Sequence, residues 1–352
     1  MFCPGKFCVS RLPYNIRLLL LAVFMLLLWL VCALSARPEE ERLWNVVRGG
    51  QTALWEKQLE MGISLSEKDD KLKTGFIGVE WSPLTTTLGS AEAKRTSANP
   101  LWAARFLDWF DELGLKKGDR IAIFSSASFP AMLFSAIAAA EDRGLEILLS
   151  VSLGASTWGA NREEFPWPLM EMTLSNGGFI KTRSAFYTPG GGAEIGGGYE
   201  PEVMRLLGRL SEEVKIPLII TRSLDETIRY KSRRLAEFEP KLFVSIGGSN
   251  ANLGASPVAA EIPNGLLLPH DAAFFSIGDG VIAEALRRGV PVLNILNIRK
   301  LALEAGIPWD TGLFIRIRHK LKPWAAFAGL TAFFAVLFTH RRWAWETEAP
   351  HT

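Results

Sequence analysis

Small polar residues follow several of the predicted strands of this chain. The segments concerned are Ser125 to Pro130, Ser152 to Gly159, Ile246 to Gly254 and Ile277 to Gly280. Glycine lets backbone amides turn toward a ligand, and Ser and Asn add side-chain hydrogen-bond donors. Because parallel strands end at one edge of a sheet, we expect these loops to share a rim that binds an anion.

The segment before the first well-marked helix adds hydroxyl groups and two cations. Thr85, Thr86 and Thr87 precede Lys94 and Arg95, and Arg is suited to bidentate contacts with carboxylates. The candidate ligand-binding residues are Thr85, Thr86, Thr87, Lys94, Arg95, Ser156, Gly247, Gly248, Ser249, Asn250 and Asn252. A carboxylate or a phosphate fits this set. The alternative is that tight loops favour Gly and Ser for turn geometry alone.

A serine nucleophile is the second chemical possibility. Ser126 and Ser128 lie between a predicted strand and a helix that begins at Pro130, which is where hydrolases of the elbow type place their serine. The glycines of the G-x-S-x-G motif are missing. His270 is the only histidine of the central domain, so a triad requires it as base, with Asp279 as its acidic partner. The alternative role of His270 is that of a hydrogen-bonded turn residue.

The sequence lacks the motifs that are typical of cofactor, metal and nucleic-acid sites. Neither a P-loop nor a G-x-G-x-x-G that opens a helix occurs, and we predict no cofactor. The central domain has no Cys and no second His, so we predict no metal site. A net charge of +2 without a long basic run argues against nucleic acid. The glycines Gly190 to Gly192 and Gly196 to Gly198 do not lie at a strand-to-helix turn, and we interpret this segment as a mobile loop.

Short apolar runs alternate with helical patterns through the central part of the chain. The predicted strands are 76–81, 120–124, 146–151, 217–221, 242–245, 273–276 and 291–295. The predicted helices are 100–113, 130–143, 201–214, 224–238 and 281–288. This alternation predicts an α/β fold with a mostly parallel, doubly wound sheet flanked by helices.

Two uncharged apolar runs flank this domain, and we predict that each is a transmembrane helix. A cleaved signal peptide is the alternative for the first run, and a buried core helix for the second. The predicted layout is a cytoplasmic tail (1–17), a transmembrane helix (18–36), a helical stalk or cap (37–74), an extracytoplasmic α/β domain (75–310), a basic membrane-proximal segment (311–323), a transmembrane helix (324–339) and a C-terminal tail (340–352). The basic residues that flank the two predicted transmembrane helices favour opposite orientations almost equally. The extracytoplasmic placement of the α/β domain therefore depends on the first helix.

Four long motifs carry a resemblance to a known family. They are Ser82 to Pro100 (SPLTTTLGSAEAKRTSANP), Ser128 to Ala131, Ser152 to Asn161 and Gly247 to Gly254. With these motifs the chain resembles the poly-gamma-glutamate system protein family. The resemblance implies a bacterial membrane protein that works beside the synthesis or export of a poly-gamma-glutamate capsule. The two predicted transmembrane helices would make it a two-pass protein of the cell membrane. It implies no known reaction and no established catalytic residues.

The residues and the resemblance together favour one function and leave two alternatives open. The favoured function is a membrane-anchored component that binds poly-gamma-glutamate or a glutamate-containing small molecule at the Ser, Gly and Asn loops. One alternative is a serine hydrolase or amide-transfer enzyme that acts on the polymer, and the other is a non-catalytic scaffold. The expected partners are the polymer, other membrane proteins of the capsule system and the lipid bilayer.

Overall fold

A computed structural model of the 352-residue chain describes residues 13–34, 38–256, 261–269, 278–314 and 323–346. The chain divides into two compact units. One is Glu39–Ile315, and the other combines Met1–Pro38 with Arg316–Thr352. The candidate site lies in the first unit.

The helices and strands alternate through the first unit, and the first and last helices of the chain belong to the second unit. The helices are α1 (Tyr14–Leu34), α2 (Pro38–Glu60), α3 (Ala91–Ser97), α4 (Leu101–Glu112), α5 (Pro130–Arg143), α6 (Trp167–Asn176), α7 (Pro201–Val214), α8 (Leu224–Phe238), α9 (Asn250–Leu253), α10 (Val281–Arg287), α11 (Ile298–Ala305) and α12 (Pro323–Glu346). The strands are β1 (Thr85–Thr87), β2 (Arg120–Ser126), β3 (Glu146–Ser152), β4 (Ala155–Ser156), β5 (Phe186–Thr188), β6 (Leu242–Ile246), β7 (Gly265–Leu267) and β8 (Val292–Ile295).

Six strands form one sheet in the order β5-β3-β2-β6-β8-β7. All neighbouring pairs are parallel except β7 and β8, so the predicted mostly parallel sheet is confirmed. The chain runs outward from β2 through β3 to β5 and then returns to β6 on the other side of β2. This reversal makes the carboxyl ends of β2 and β6 a topological switch point, where open sheets bind ligands.

Alternate residues of the central strands enter two different cores. In β2, Ile121 and Ile123 pack with the larger core, whereas Ala122 and Phe124 pack with the smaller one. The larger core includes side chains of α4 and α5, and the smaller one includes side chains of α8 and α10. Helices therefore cover both faces of the sheet, which confirms the doubly wound arrangement and explains why its central strands are apolar throughout.

Two predicted strands are not formed, and four short strands were not predicted. Residues 76–81 run beside the 158–161 loop as irregular chain, with Gly78 N donating to Trp158 O. Within 217–221, only Leu218 makes a bridge, to Tyr187. The predicted strand 273–276 lies outside the described residues. The unpredicted strands β1, β4, β5 and β7 have two or three residues each, too few for a recognisable pattern.

Helix α2 lies in the segment predicted to be a helical stalk or cap (37–74). Its side chains Leu43, Val47 and Leu54 are buried in the larger core. Gln51 Nε2 also donates a hydrogen bond to Ala98 O over 2.6 Å. The helix therefore packs as part of the α/β unit and does not form a separate stalk.

The second unit contains α1 and α12, which contact each other. A Cβ atom at Gly329 would lie 2.9 Å from Met25 Sδ, so the small residue allows a close approach of the two helices. Within the described residues, we found no helix whose length and apolar character suffice for a membrane crossing. The described parts of the two apolar runs are helical as predicted, but the predicted membrane spans gain no support.

Candidate functional site

A cavity of about 280 Å³ lies at the carboxyl edge of the sheet. It is lined by the residues that follow or end β2, β3, β6 and β8, by the β1 segment and by a glycine-rich loop. The lining residues are Thr86, Thr87, Leu88, Gly89, Ser90, Lys94, Ser126, Ser128, Phe129, Ser152, Gly154, Ser156, Gly190, Gly191, Gly192, Glu194, Gly248, Ser249, Asn250 and Leu296. The prediction that the small-residue loops share one rim is therefore confirmed for the loops after β2, β3 and β6.

Lys94 is a buried amine in the wall of this cavity. It lies on α3, whose first turn is capped by the Ser90 side chain, and only 2 % of its surface is exposed. Its Nζ atom is 2.5 Å from Ser128 O, 2.7 Å from Ser156 Oγ and 3.6 Å from the centroid of the Phe129 ring. Burial lowers the pKa of Lys94 to about 7, because the charged form loses its hydration. Both the charged and the uncharged form of the amine are therefore populated at neutral pH.

Three of the serines that line the cavity end or follow strands: Ser126 ends β2, Ser128 follows it, and Ser156 ends β4. Ser156 N donates a hydrogen bond to Ser128 Oγ over 3.0 Å, which ties the two loops together. Ser126 Oγ is buried and has no hydrogen-bond partner within the described protein. A Cβ atom at Gly247 would lie 2.2 Å from Ser126 Oγ, and the backbone there has φ +77°, so only glycine fits this position. The cavity therefore offers hydroxyl groups that are held in place by close backbone contacts.

Glu194 closes another side of the cavity. Its carboxylate accepts hydrogen bonds from Lys231 Nζ, Ser249 Oγ, Ala251 N and Thr188 Oγ1. Burial alone would raise the pKa of Glu194, but the Lys231 ammonium and these hydrogen bonds hold it below its usual range. Glu194 is therefore ionised and neutralised by Lys231, so it adds little net negative charge to the cavity.

The glycine-rich loop of Gly190 to Gly198 is built around this carboxylate. Bridges join Gly190 to Ile195 and Gly192 to Gly197. Glu194 itself has φ +58° and is 1 % exposed, with its side chain pointing inward. The predicted mobile loop is thus wrong: the segment is folded back on itself and fastened to α8 through Lys231.

The structure brings together most of the residues predicted from the sequence. Those that line the cavity are Thr86, Thr87, Lys94, Ser126, Ser128, Ser156, Gly248, Ser249 and Asn250. Those that do not line it are Thr85, Arg95, Gly247, Asn252 and Asp279. His270 lies outside the described residues, as does Ile277 of the predicted loop 277–280.

Arg95 faces away from the cavity and does not supply the second predicted cation. Its Nε and Nη2 atoms lie 2.5 and 2.9 Å from the two carboxylate oxygens of Asp310. These hydrogen bonds also lower the pKa of Asp310. Consecutive residues of a helix point about 100° apart, so Lys94 and Arg95 of α3 cannot both enter the cavity.

The remaining predicted residues have structural partners. Asn252 Nδ2 donates to Phe124 O and Ser245 Oγ, which joins α9 to β2 and β6. Thr85 Oγ1 accepts a hydrogen bond from Asn161 Nδ2.

Asp279 belongs to a different place on the domain. Its Oδ1 atom accepts from Ala255 N and Ser256 N, and its side chain borders a separate surface hollow with Arg229 and Glu284. The predicted triad requires Asp279 to share a cavity with Ser126 and Ser128, but Asp279 lies outside that cavity.

Sequence reasoning missed the Glu194–Lys231 pair and the cavity-lining glycines 190–192. The available signal was a single acidic residue between two glycine triplets, which is unusual for a solvent-exposed linker. Lys231 gave no signal, because it lies within an otherwise ordinary amphipathic helix.

The described ranges contain no group of three His, Cys, Asp or Glu side chains placed to hold a metal ion. Comparison with known proteins gave no match among family models, curated proteins or solved structures. The function must therefore be argued from the cavity itself and from the motifs named above.

Proposed function

We propose that the cavity binds a carboxylate-bearing molecule, and that this ligand is poly-gamma-glutamate or a glutamate-containing intermediate of a bacterial capsule system. The observation that carries the proposal is the buried amine of Lys94 among hydroxyl groups and glycines. Among the described lining residues, Lys94 is the one side chain that can carry a positive charge. The family resemblance of the lining motifs supplies the identity of the ligand.

Electrostatics favour an anion at this position. Glu194 is already paired with Lys231, so the charge of the cavity is decided by Lys94. A carboxylate beside Lys94 would stabilise its protonated form, and a charge-assisted hydrogen bond in a buried site is stronger than one at the surface. The hydroxyl groups of Ser126 and Ser128 offer further donors.

The size of the cavity limits what it can hold. Its volume of about 280 Å³ is just below the roughly 300–1,000 Å³ typical of sites for drug-sized ligands. A single glutamate unit or one chain end is therefore the proposed occupant, with the rest of a polymer outside.

The first test compares two cationic residues that are neighbours on α3. We expect the full-length protein to bind a γ-linked glutamate pentamer at pH 6, and Lys94→Met to weaken binding about 10- to 100-fold, the value of a charge-assisted hydrogen bond. Arg95→Met removes the same charge outside the cavity and should change the affinity less than twofold. Isothermal titration calorimetry at low salt measures all three affinities.

A matched ligand separates the carboxylates from the peptide backbone. The corresponding γ-linked pentamer with amidated α-carboxylates should bind at least tenfold more weakly than the acid. Absence of binding by the wild-type protein at low salt, or equal losses in Lys94→Met and Arg95→Met, would contradict the proposal.

We also propose that α1 and α12 attach the protein to the cell membrane, with the α/β unit outside the cytoplasm and other capsule proteins as its neighbours. Large apolar side chains on both helices are exposed, including Leu19 (63 %) and Phe327 (72 %). Contact with lipid would cover them. After alkaline carbonate treatment, we expect the protein to stay with the membrane pellet, whereas release into the supernatant would contradict attachment. A reporter that is active only outside the cytoplasm, fused after Gly62, tests the side.

A further inference from the structure

We infer that Ser156 and Lys94 form a nucleophile–base pair, which gives the cavity an acyl-transfer activity toward small esters or amides. This activity goes beyond the proposed binding of a carboxylate. It also differs from the predicted triad, since the base is an amine and the nucleophile lies after β3.

The contacts of Lys94 Nζ suit a general base. Lys94 Nζ lies 2.7 Å from Ser156 Oγ and 2.5 Å from Ser128 O. An uncharged amine has two N–H groups and one lone pair. If one N–H donates to the Ser128 carbonyl, the lone pair can accept the Ser156 hydroxyl, which is the contact that a general base makes with its nucleophile.

The surroundings of Lys94 favour the uncharged amine. The Phe129 ring covers Lys94 Nζ at 3.6 Å, and in the described part of the chain no carboxylate forms an ion pair with it. Burial lowers the pKa of Lys94 to about 7, so the uncharged form is well populated at neutral pH. Lysines that are desolvated in this way serve as bases beside serine nucleophiles.

The Ser156 side chain can be reached from the cavity. Both Ser156 and Lys94 line the cavity, and Ser156 N is fixed by its hydrogen bond to Ser128 Oγ. A Cβ atom at Gly89 would lie only 2.9 Å from Ser156 Oγ. Because residue 89 is glycine, it has no side chain that would cover the Ser156 hydroxyl. A carbonyl group can therefore approach this hydroxyl from the cavity.

The reaction balances with water as the only co-reactant. Ser156 Oγ bonds to the carbonyl carbon while its proton moves to Lys94 Nζ. The bond to the leaving amine or alcohol then breaks, and the leaving group takes that proton from Lys94. Water attacks the acyl-serine, gives a proton to Lys94 and releases the acid, after which the proton returns to Ser156 Oγ.

The two functions of Lys94 have opposite pH dependence. Carboxylate binding needs the protonated amine and weakens as the pH rises through 7. Acyl transfer needs the free amine and strengthens over the same interval. A carboxylate bound beside Lys94 should therefore inhibit the reaction.

The test uses the full-length protein and a fluorophosphonate probe. We expect one adduct, located on Ser156 by peptide mass spectrometry, with a labelling rate that rises through pH 7 and then levels off. Ser156→Ala should lose the adduct, and Lys94→Arg should label at least 100-fold more slowly. Ser135→Ala, a buried serine outside the cavity, should label like the wild type.

Several outcomes would overturn the inference. They are an adduct on Ser126 or Ser128, no adduct on the folded wild-type protein between pH 6 and 9, or unchanged labelling in Lys94→Arg. If Lys94→Arg has a lower melting temperature and cannot be compared, the site and pH profile of wild-type labelling decide. Binding of the glutamate pentamer is measured separately, so this inference and the proposed function can fail independently.

Discussion

Replacing Glu194 with Gln should lower the free energy of unfolding by about 3–5 kcal/mol. The reason is that Lys231 is fully buried and Glu194 is 1 % exposed, so the variant leaves an ammonium group in the interior without its counter-charge. It also weakens the acceptor that holds Ser249 Oγ and Ala251 N. Urea denaturation at pH 7, followed by circular dichroism, measures the loss.

Two further variants separate the ion pair from ordinary effects of substitution. The double variant Glu194→Gln with Lys231→Met removes the unpaired charge and should recover part of the lost stability. Glu239→Gln breaks the exposed pair with Arg120 and should cost less than about 1 kcal/mol. A loss below 1 kcal/mol for Glu194→Gln would show that this pair is not buried as described.

The stability of the wild-type protein should rise between about pH 7 and pH 10 because of Lys94. Its pKa is about 7 in the folded state and about 10.4 in an unfolded chain, so between these values the unfolded state binds one more proton. Stability rises with pH wherever the unfolded state binds more protons, here by up to about 1.4 kcal/mol per pH unit. Below pH 7 both states are protonated and this contribution no longer changes.

The measurement is the difference between wild-type protein and Lys94→Met in urea denaturation at pH 7, 8, 9 and 10. The contributions of groups that titrate alike in both proteins cancel in this difference. The pH dependence that remains is therefore the contribution of Lys94. Lys68→Met, at an exposed position, should leave the pH profile unchanged. A flat difference between wild type and Lys94→Met would mean that Lys94 is hydrated in the folded state.

Much of the fold was predictable because local signals and packing agree. Helices α5 and α7 begin with a proline and α8 follows a Ser cap, and all three have the predicted bounds. The central strands are apolar because helices cover both sides. The pairing of β1 with β4 was not predictable, since it depends on contacts between Thr85 and Ala155 that lie far apart in the sequence.

The site was predictable in its position and less so in its chemistry. Loops after parallel strands must meet at one edge, which is why composition alone pointed to Ser128, Ser156 and Ser249. Which of two adjacent cations enters the cavity depends on the rotation of α3, and that rotation is set by packing. The pairing of Glu194 with Lys231 is a tertiary contact between a loop and a helix, and no local pattern predicts it.

The central claim is that a partly protonated Lys94 holds a carboxylate in this cavity. Proton uptake on ligand binding tests this claim most directly. Titration of the γ-linked glutamate pentamer at pH 7 in two buffers of different ionisation enthalpy gives the number of protons bound with the ligand. We expect about 0.5 proton for the wild-type protein and none for Lys94→Met, because the bound carboxylate holds the amine in its charged form. Binding without proton uptake, or no binding at all, would contradict the account.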